Sequence, residues 1–354
     1  MTSTRQRLPG LDALRGVAAL MVLLFHARGL ILPMSALSHG YLAVDLFFVI
    51  SGFVLGRAHD AGLAAGGGRA FVRQRIVRLY PMVLLGLALG AGLLLARGLD
   101  LATVGLLAVL GALFIPVTGS ADIFPLNGPQ WSLMWELAVN LLYALIAPRL
   151  TLRRLVLLTA GGGVLYAALA VLFGTGSLGS HGADWFGGAP RVVFGFFAGV
   201  LLARLAACGR LKVPILPIWA NLAIVIAVLT APGLGAGNAA FDLVAVLIVM
   251  PLLVGSAAGA EVGAFGPLLD GLAGISYALY ALHIPILVSA ADLATRGALP
   301  GAPRGLVGAV AVMLALSLAT LAHRYFEPWA ARRLRGFGRE PQSRSTSLPS
   351  SITR

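Results

Sequence analysis

Cysteine and charge are both scarce in this sequence. Cys208 is the single cysteine among 354 residues, so the chain can form neither an internal disulfide nor a metal site with several cysteine ligands. Because Cys208 lies in an apolar run that ends in arginine, we expect it to fill space. Charged residues make up only 11% of the chain and hydrophobic residues 59%, against roughly 45–50% apolar residues in soluble domains. This composition excludes a soluble globular enzyme.

Acidic residues are scarcer than basic ones. The chain has 13 Asp and Glu against 26 Lys and Arg, which gives a formal net charge of +13. The basic residues lie at the ends of apolar runs, where such residues set membrane topology and meet anionic lipid. We therefore expect membrane lipid, and no nucleic acid, as the partner of this charge.

Long apolar segments dominate the rest of the chain. Several approach the roughly 20 residues that a helix needs to cross the hydrocarbon core. We predict an all-α polytopic transmembrane bundle that forms one membrane domain at 8–335, and the segments show no clear internal repeat. The eleven candidates are 11–32, 40–56, 79–96, 101–117, 132–148, 155–173, 190–206, 215–231, 239–256, 272–290 and 305–323.

Arginines between these segments predict the topology, because short cytoplasmic loops carry an excess of Lys and Arg. Both termini are expected in the cytoplasm, which requires an even number of crossings. The loops that this rule also places in the cytoplasm are 57–78, 149–154 and 204–212.

One of the three segments between Arg78 and Arg149 must then fail to span. The connection at 118–131 contains Asp122 and no Lys or Arg, so we expect it outside and predict an interfacial or re-entrant helix at 101–117. Ten spanning helices remain, although the sequence leaves 132–148 open as the segment that does not span. The cytoplasmic tail at 336–354, rich in Ser, Thr, Pro and Arg, is predicted to be disordered.

Ionisable side chains inside the first two spans are candidate functional groups, because each costs ~3 kcal/mol or more to insert. Arg15 and His26 lie ~16 Å apart along the first helix, on nearly the same face. Asp45 falls in the same outer half of the membrane as His26. A carboxylate bound to one imidazole nitrogen leaves the other free to act as a base. The alternatives are that Arg15 snorkels to the membrane surface, that His26 is a core histidine bound by a neighbouring helix, and that Asp45 and His26 form only a structural pair.

A second group of candidates follows the second span. Arg73, Arg75 and Arg78 are predicted in a cytoplasmic loop, where they either anchor the chain or hold phosphate groups with their forked guanidinium groups. Trp131 is predicted at the outer interface, where indoles prefer to lie. Glu136 has no adjacent cation in the sequence, which favours a site residue.

Near the C-terminus, Tyr277, Tyr280 and His283 follow one another at three-residue steps and share one side of a helix. His283 is thus a second histidine in the outer half, either part of a site or part of interhelical packing. His323 and Glu327 are one turn apart, which favours a local contact at a helix end.

Five of these segments, in this order, resemble the acyltransferase-3 family of bacterial integral membrane acyltransferases. The resemblance covers about residues 8–335. It is carried by LDALRGVAAL from Leu11 with the pair Phe25 and His26, VDLFFVISGF from Val44, RQRIVRLYP from Arg73, WSLMWE from Trp131 and YALYALHIP from Tyr277.

The resemblance implies a multi-pass enzyme of the bacterial inner membrane that moves an acyl group from cytoplasmic acyl-CoA, commonly acetyl-CoA, to a hydroxyl. The acceptor would be an envelope polysaccharide or other glycan, a lipid-linked sugar or a secondary metabolite. The implied site consists of Arg15, His26, Asp45, the pair Ser51 and Gly52, Arg73, Arg75, Arg78, Trp131 and Glu136.

The mechanism expected from this resemblance places CoA phosphates on Arg73, Arg75 and Arg78, with the pantetheine arm passing Arg15. His26, oriented by Asp45, would deprotonate the acceptor hydroxyl or carry the acyl group itself. The residues expected to contact the acceptor are Glu136, Trp131, Tyr280 and His283.

Acyl-CoA is a donor substrate in this scheme, so we expect no permanently bound cofactor. No metal is expected, because the histidines lack ligand spacing. The competing hypothesis is a proton-coupled secondary transporter of a small polar solute, in which the intramembrane ionisable groups relay protons. The acceptor, the acyl chain and the oligomeric state stay open.

Overall fold

The computed structural model describes residues 7–295 and 303–336, and the regular elements in these ranges are helices, with no β-sheet. The predicted disordered tail lies outside the described residues, apart from 336. The helices are α1 (Pro9–His26), α2 (Ala43–Ala64), α3 (Gly68–Ala96), α4 (Leu101–Ala112), α5 (Gln130–Ile146), α6 (Leu152–Phe173), α7 (Gly188–Ala207), α8 (Ile218–Thr230), α9 (Asn238–Val244), α10 (Met250–Ala257), α11 (Gly266–Thr295), α12 (Arg304–Leu321) and α13 (Glu327–Gly336).

Nine helical segments in the described ranges are long and apolar enough to cross a membrane, which confirms the predicted polytopic helical bundle. Two of them contain a π-helical stretch, at Ala245–Val249 and Ala322–Phe326, which joins consecutive α-helices into one span. The segments are Pro9–His26, Gly40–Ala64, Gly68–Ala96, Gln130–Arg149, Leu152–Phe173, Trp185–Ala207, Gly235–Ala257, Gly263–Thr295 and Arg304–Leu334.

The two ends of the bundle differ in charge. The first turns of α1, α3 and α11 and the last turns of α2 and α7 lie at one end, which we call the arginine face. The contacts that join them include Arg7 with Asp270 at 3.2 Å and Arg204 with Asp60 at 2.8 Å. His26 and the start of α2 lie at the other end, the opposite face.

The short helix α8 also connects the two faces. Ile218, at its start, packs against the cluster that contains Ala13, near the start of α1. Just beyond its end, the Pro232 carbonyl lies 3.2 Å from His39 Nε2, and His39 immediately precedes the span that begins at Gly40. Helix α8 therefore leads from the arginine face to the opposite face, so in the described ranges the chain passes between the faces ten times, nine of them along the longer segments.

Helix α4 is the segment that does not span. Asp100 caps its N-terminus by accepting a hydrogen bond from the Thr103 amide at 2.8 Å. Its C-terminal carbonyl, on Ala112, accepts a hydrogen bond from Tyr80 Oη, midway along α3, at 2.8 Å. The chain then returns without a helix to the start of α5. This geometry is that of a re-entrant helix, with 12 residues where the sequence predicts 17.

Glycines bring the central helices together. A Cβ on Gly52 of α2 would lie 1.9 Å from the Phe196 carbonyl oxygen of α7, and one on Gly16 of α1 would lie 2.8 Å from Leu272 Cβ of α11. Only a residue without a side chain permits such approaches. The pairs α2–α7 and α1–α11 consequently form the framework on which the site is built.

Two sequence-based expectations are wrong at the arginine face. The predicted 57–78 loop is the end of α2 and the start of α3, joined by three residues, so Arg73, Arg75 and Arg78 lie on a helix. Cys208 does not fill space in the interior, since it follows the last residue of α7 and is exposed.

Candidate active site

A cavity of about 1540 Å³ opens at the arginine face and extends into the bundle. It is larger than the 300–1000 Å³ of most small-molecule sites. Its mouth includes Arg15, Arg78 and Asp270, and its inner end includes Ser132 and Tyr280. One wall is apolar and comes from α2, with Phe47, Phe48, Ile50, Val54 and Leu55. The cavity is shaped for a long ligand that is charged at one end and apolar further in.

Arg15 is held in place at the side of the cavity by both helices of the α1–α11 pair. Its Nη2 lies 2.9 Å from Asp12 Oδ1 and donates to the Ala273 carbonyl at 3.2 Å. Its Nε donates to Ser276 Oγ at 3.2 Å. These contacts fix the guanidinium group in the lining of the cavity.

Arg75 and Glu136 form an ion pair in the cavity wall. Arg75 Nη2 lies 2.8 Å from Glu136 Oε1, which also accepts a hydrogen bond from Ser51 Oγ at 3.0 Å. Arg75 is buried, and its Nε has no hydrogen-bond partner among the described residues. A buried donor without a partner is costly. Arg73 and Arg78 also line the cavity.

Two hydroxyl groups lie at the inner end of the cavity. Tyr280 Oη and Ser132 Oγ are 2.6 Å apart, and both are within hydrogen-bond distance of the Pro129 carbonyl, at 3.3 Å and 3.1 Å. Tyr277, the other predicted tyrosine, lines the cavity and donates its hydroxyl to the Leu79 carbonyl at 2.5 Å.

Beyond Tyr280 lies a pair of histidines. The rings of Tyr280 and His283 have their centroids 6.0 Å apart, and those of His283 and His26 5.0 Å apart. His283 Nε2 lies 3.1 Å from His26 Nδ1. His283 is fully buried, whereas His26, at the end of α1, is exposed on the opposite face.

Carbonyl groups determine which nitrogen of each histidine carries the proton. His283 Nδ1 lies 2.9 Å from the Leu279 carbonyl and 3.0 Å from that of Tyr280, so it must be the donor, and its Nε2 must be an acceptor. His26 Nδ1, which faces this acceptor and the Val22 carbonyl at 3.0 Å, therefore carries a hydrogen. The lone pair of His26 is left on Nε2, the atom that a general base needs.

A proline in α11 leaves a carbonyl near His283 free to bind another element. Pro285 has no backbone N–H, so the Ala281 carbonyl four residues earlier has no partner within the helix. Asn127 Nδ2 donates to that carbonyl at 2.8 Å. The loop before α5 is thus attached to α11 beside the histidine pair.

The predicted contact between Asp45 and His26 is not formed. Asp45 is fully buried and paired with Arg191 of α7, with Arg191 Nη2 at 2.6 Å and Nε at 2.7 Å from its two carboxylate oxygens. A forked guanidinium neutralises a buried carboxylate better than an imidazole does. The apolar segment at 190–206 contained the signal for this pair, since Arg191 is an ionisable residue inside a predicted span.

Trp131 is not at an outer interface. It is buried, with its ring 2.5 Å from where a Cβ on Gly179 would lie and 5.2 Å from the Arg191 guanidinium carbon.

His39, Tyr41 and Asp242 form a further buried network that the sequence reasoning missed, with Tyr41 Oη 2.8 Å and His39 Nδ1 3.0 Å from the Asp242 carboxylate. The predicted local contact of His323 with Glu327 is present at 2.8 Å.

Comparison with known proteins identifies the family. A family model described as an acyltransferase domain, that of the acyltransferase-3 family, matches residues 8–322. Protein 2 in the picA locus of Rhizobium radiobacter is 37% identical over 183 residues, 46% of this chain and 94% of that protein.

BcsY of Komagataeibacter xylinus, whose name marks it as a proposed membrane-bound transacylase, is 33% identical over 167 residues. That match covers 43% of this chain and 41% of BcsY, so the chain spans less than half the length of this relative. No solved structure matches the chain. The length of the family match decides the assignment: the chain belongs to the acyltransferase-3 family and is a membrane acyltransferase.

Proposed function

We propose that the chain moves an acyl group from acyl-CoA, which enters the cavity from the arginine face, to a hydroxyl that reaches His26 from the opposite face. The observation that carries the proposal is the column of polar groups from Arg15 through Tyr280 to His283 and His26, which connects the two faces. The arginine face would be cytoplasmic by the excess of basic residues there, in a bacterial inner membrane.

The cavity suits CoA in both size and charge. Its arginines, Arg15, Arg73 and Arg78, would hold the phosphates at the mouth, and the apolar wall would take the pantetheine arm. Arg75 is better suited to a second task, since its guanidinium is occupied by Glu136. The Arg75–Glu136 pair would form part of the wall along which the arm lies, so Glu136 would act on the donor side.

His26 Nε2 would be the general base. It removes the proton of the acceptor hydroxyl as the oxygen attacks the thioester carbonyl, and a tetrahedral intermediate forms. The C–S bond then breaks, and the proton passes from His26 to the departing CoA thiolate, which leaves the acylated acceptor and free CoA thiol. The hydroxyl groups of Tyr280 and Ser132, at the end of the cavity, can donate to the oxyanion.

His283 would be a positioning residue rather than an acceptor contact, because it is buried behind His26. Its Nε2 accepts the His26 Nδ1 hydrogen and so takes the role that the sequence assigned to Asp45. The same geometry is compatible with a nucleophilic His26 that carries the acyl group on Nε2. An envelope glycan, a lipid-linked sugar or a secondary metabolite would supply the hydroxyl.

The first test is release of free thiol from acetyl-CoA by the purified protein in detergent, with and without candidate acceptors. We expect acceptor-dependent release that is lost in His26→Ala. His283→Ala should lower kcat by about 10²-fold, within the range of general base catalysis, with the KM for acetyl-CoA unchanged. His283→Gln, whose amide oxygen can still accept the Nδ1 hydrogen, should recover part of kcat and shift the pH profile.

His181→Ala is the matched control, because this exposed histidine lies in the loop before α7, away from the cavity. It should keep activity within twofold. Equal kcat for His283→Ala and the wild type would exclude His283 as the residue that positions the base. A folded protein that does not bind acetyl-CoA would count against the donor site.

A further inference from the structure

A second cavity at the arginine face is basic and shares no lining residue with the first. Its volume is about 690 Å³, and it lies where the end of α2, the turn at Ala147–Arg149, the start of α6 and the end of α7 meet. Four of its ten lining residues are arginines, and none is acidic: Arg149, Arg153, Arg154 and Arg204.

Three of these arginines carry charge that the described residues do not neutralise. Arg204 is paired with Asp60, which it contacts at 2.8 Å through both Nε and Nη2. The Nη1 of Arg154 donates to the Arg149 carbonyl at 2.7 Å, which orders the side chain without neutralising it. Arg149 and Arg153 have no ion pair in the described part of the chain, and both are exposed. The cavity therefore has an excess of about three positive charges.

The cavity also borders the apolar belt of the bundle. Leu157 belongs to its lining and is 62% exposed, and Leu145, on the neighbouring α5, is 75% exposed. In a membrane-spanning bundle such leucines face acyl chains, so the arginines lie at the depth of lipid head groups. A ligand with one phosphate and two acyl chains matches both surfaces, whereas a soluble anion matches only the arginines.

We propose that this cavity binds the phosphate of an anionic phospholipid, with the acyl chains along the exposed leucines of α5 and α6. Arg149 and Arg153 donate to the phosphate oxygens through their forked guanidinium groups, and Arg154 and Arg204 form the floor. Basic pockets between transmembrane helices at the cytoplasmic side are typical sites for such head groups. The proposal is independent of the acyl transfer reaction.

The test measures binding of fluorescent phosphatidylglycerol to the purified full-length chain in a neutral detergent. Each basic residue near a charged lipid contributes about fivefold in affinity, so Arg149→Gln with Arg153→Gln should weaken binding about 25-fold. The matched control is Arg69→Gln with Arg210→Gln, which removes the same charge from exposed positions outside both cavities. That variant should bind within twofold of the wild type.

Competition distinguishes the sources of the phosphate. Unlabelled phosphatidylglycerol should displace the probe, and phosphatidylcholine and millimolar inorganic phosphate should not. Equal loss of affinity in both double variants would show attraction by net charge alone and overturn the site. Displacement of the probe by millimolar inorganic phosphate would show that the site binds a soluble anion rather than a lipid. Monodisperse elution of each variant excludes unfolding as the cause of lost binding.

Discussion

At the scale of single residues, the chemistry of a side chain was easier to predict than its partner. Asp45 was correctly identified as a residue inside a span that needs a partner, but that partner is Arg191, 146 positions away, rather than His26. His26 instead meets His283, 257 positions away. Each replacement follows from desolvation, because a buried carboxylate requires a full positive charge whereas a neutral imidazole requires only a hydrogen-bond acceptor.

Removing the Asp45 charge should destabilise the protein rather than merely inactivate it. Asp45→Asn leaves Arg191 buried without a counter-charge, which costs about 3 kcal/mol or more. We expect a lower melting temperature in detergent and a lower yield of folded protein. The double variant Asp45→Leu with Arg191→Met, which removes both charges, should recover most of the loss. An Asp45→Asn protein that melts like the wild type but is inactive would restore Asp45 to the catalytic machinery.

At the scale of the helices, composition predicted which segments cross the membrane but not where each helix begins and ends. Only three residues join α2 to α3, so α3 begins well before the apolar segment predicted at 79–96. The arginines that precede this segment therefore lie on the helix. Close packing of α2 on α7 then sets the distance between Asp45 and Arg191. The same packing leaves room for the first cavity on the other side of α2.

The α2–α7 contact provides a test at this scale. Gly52→Ala would place a Cβ 1.9 Å from the Phe196 carbonyl oxygen, so the two helices must separate, at a cost of about 1–3 kcal/mol. Gly62→Ala in the same helix meets nothing within 4 Å and should stabilise the protein by about 0.5–1 kcal/mol. Melting temperatures should therefore move in opposite directions. Equal shifts would indicate that helix propensity, rather than interhelical distance, governs this position.

At the scale of the whole molecule, the bundle separates two environments and gives each its own opening. The first cavity and the basic cavity both open at the arginine face, whereas His26 is exposed at the opposite face. An enzyme built in this way can take its two substrates from different sides of a membrane. In the proposed function, the histidine pair is the point at which the two substrates meet.

The orientation of the bundle can be tested with the native cysteine. Cys208 is exposed at the arginine face, so a membrane-impermeant maleimide should label it in inverted membrane vesicles and not in spheroplasts. In a Cys208→Ser background, Met34→Cys, at a position 66% exposed on the opposite face, should show the reverse pattern. Labelling of Cys208 from outside would reverse the topology and place the acyl donor cavity away from the cytoplasm.

Hydropathy and charge placement by themselves determined the class of the molecule and most of its spans, because each is a property of neighbouring residues and is summed along the chain. The resemblance to a family was carried by five short motifs. The re-entrant α4 was also within reach, since the parity of the arginine loops required one segment not to cross. Which charges pair, and which nitrogen of His26 is free, was decided only by tertiary structure. Those contacts join residues on different helices, and their strength depends on burial and on carbonyl groups whose positions no local pattern records.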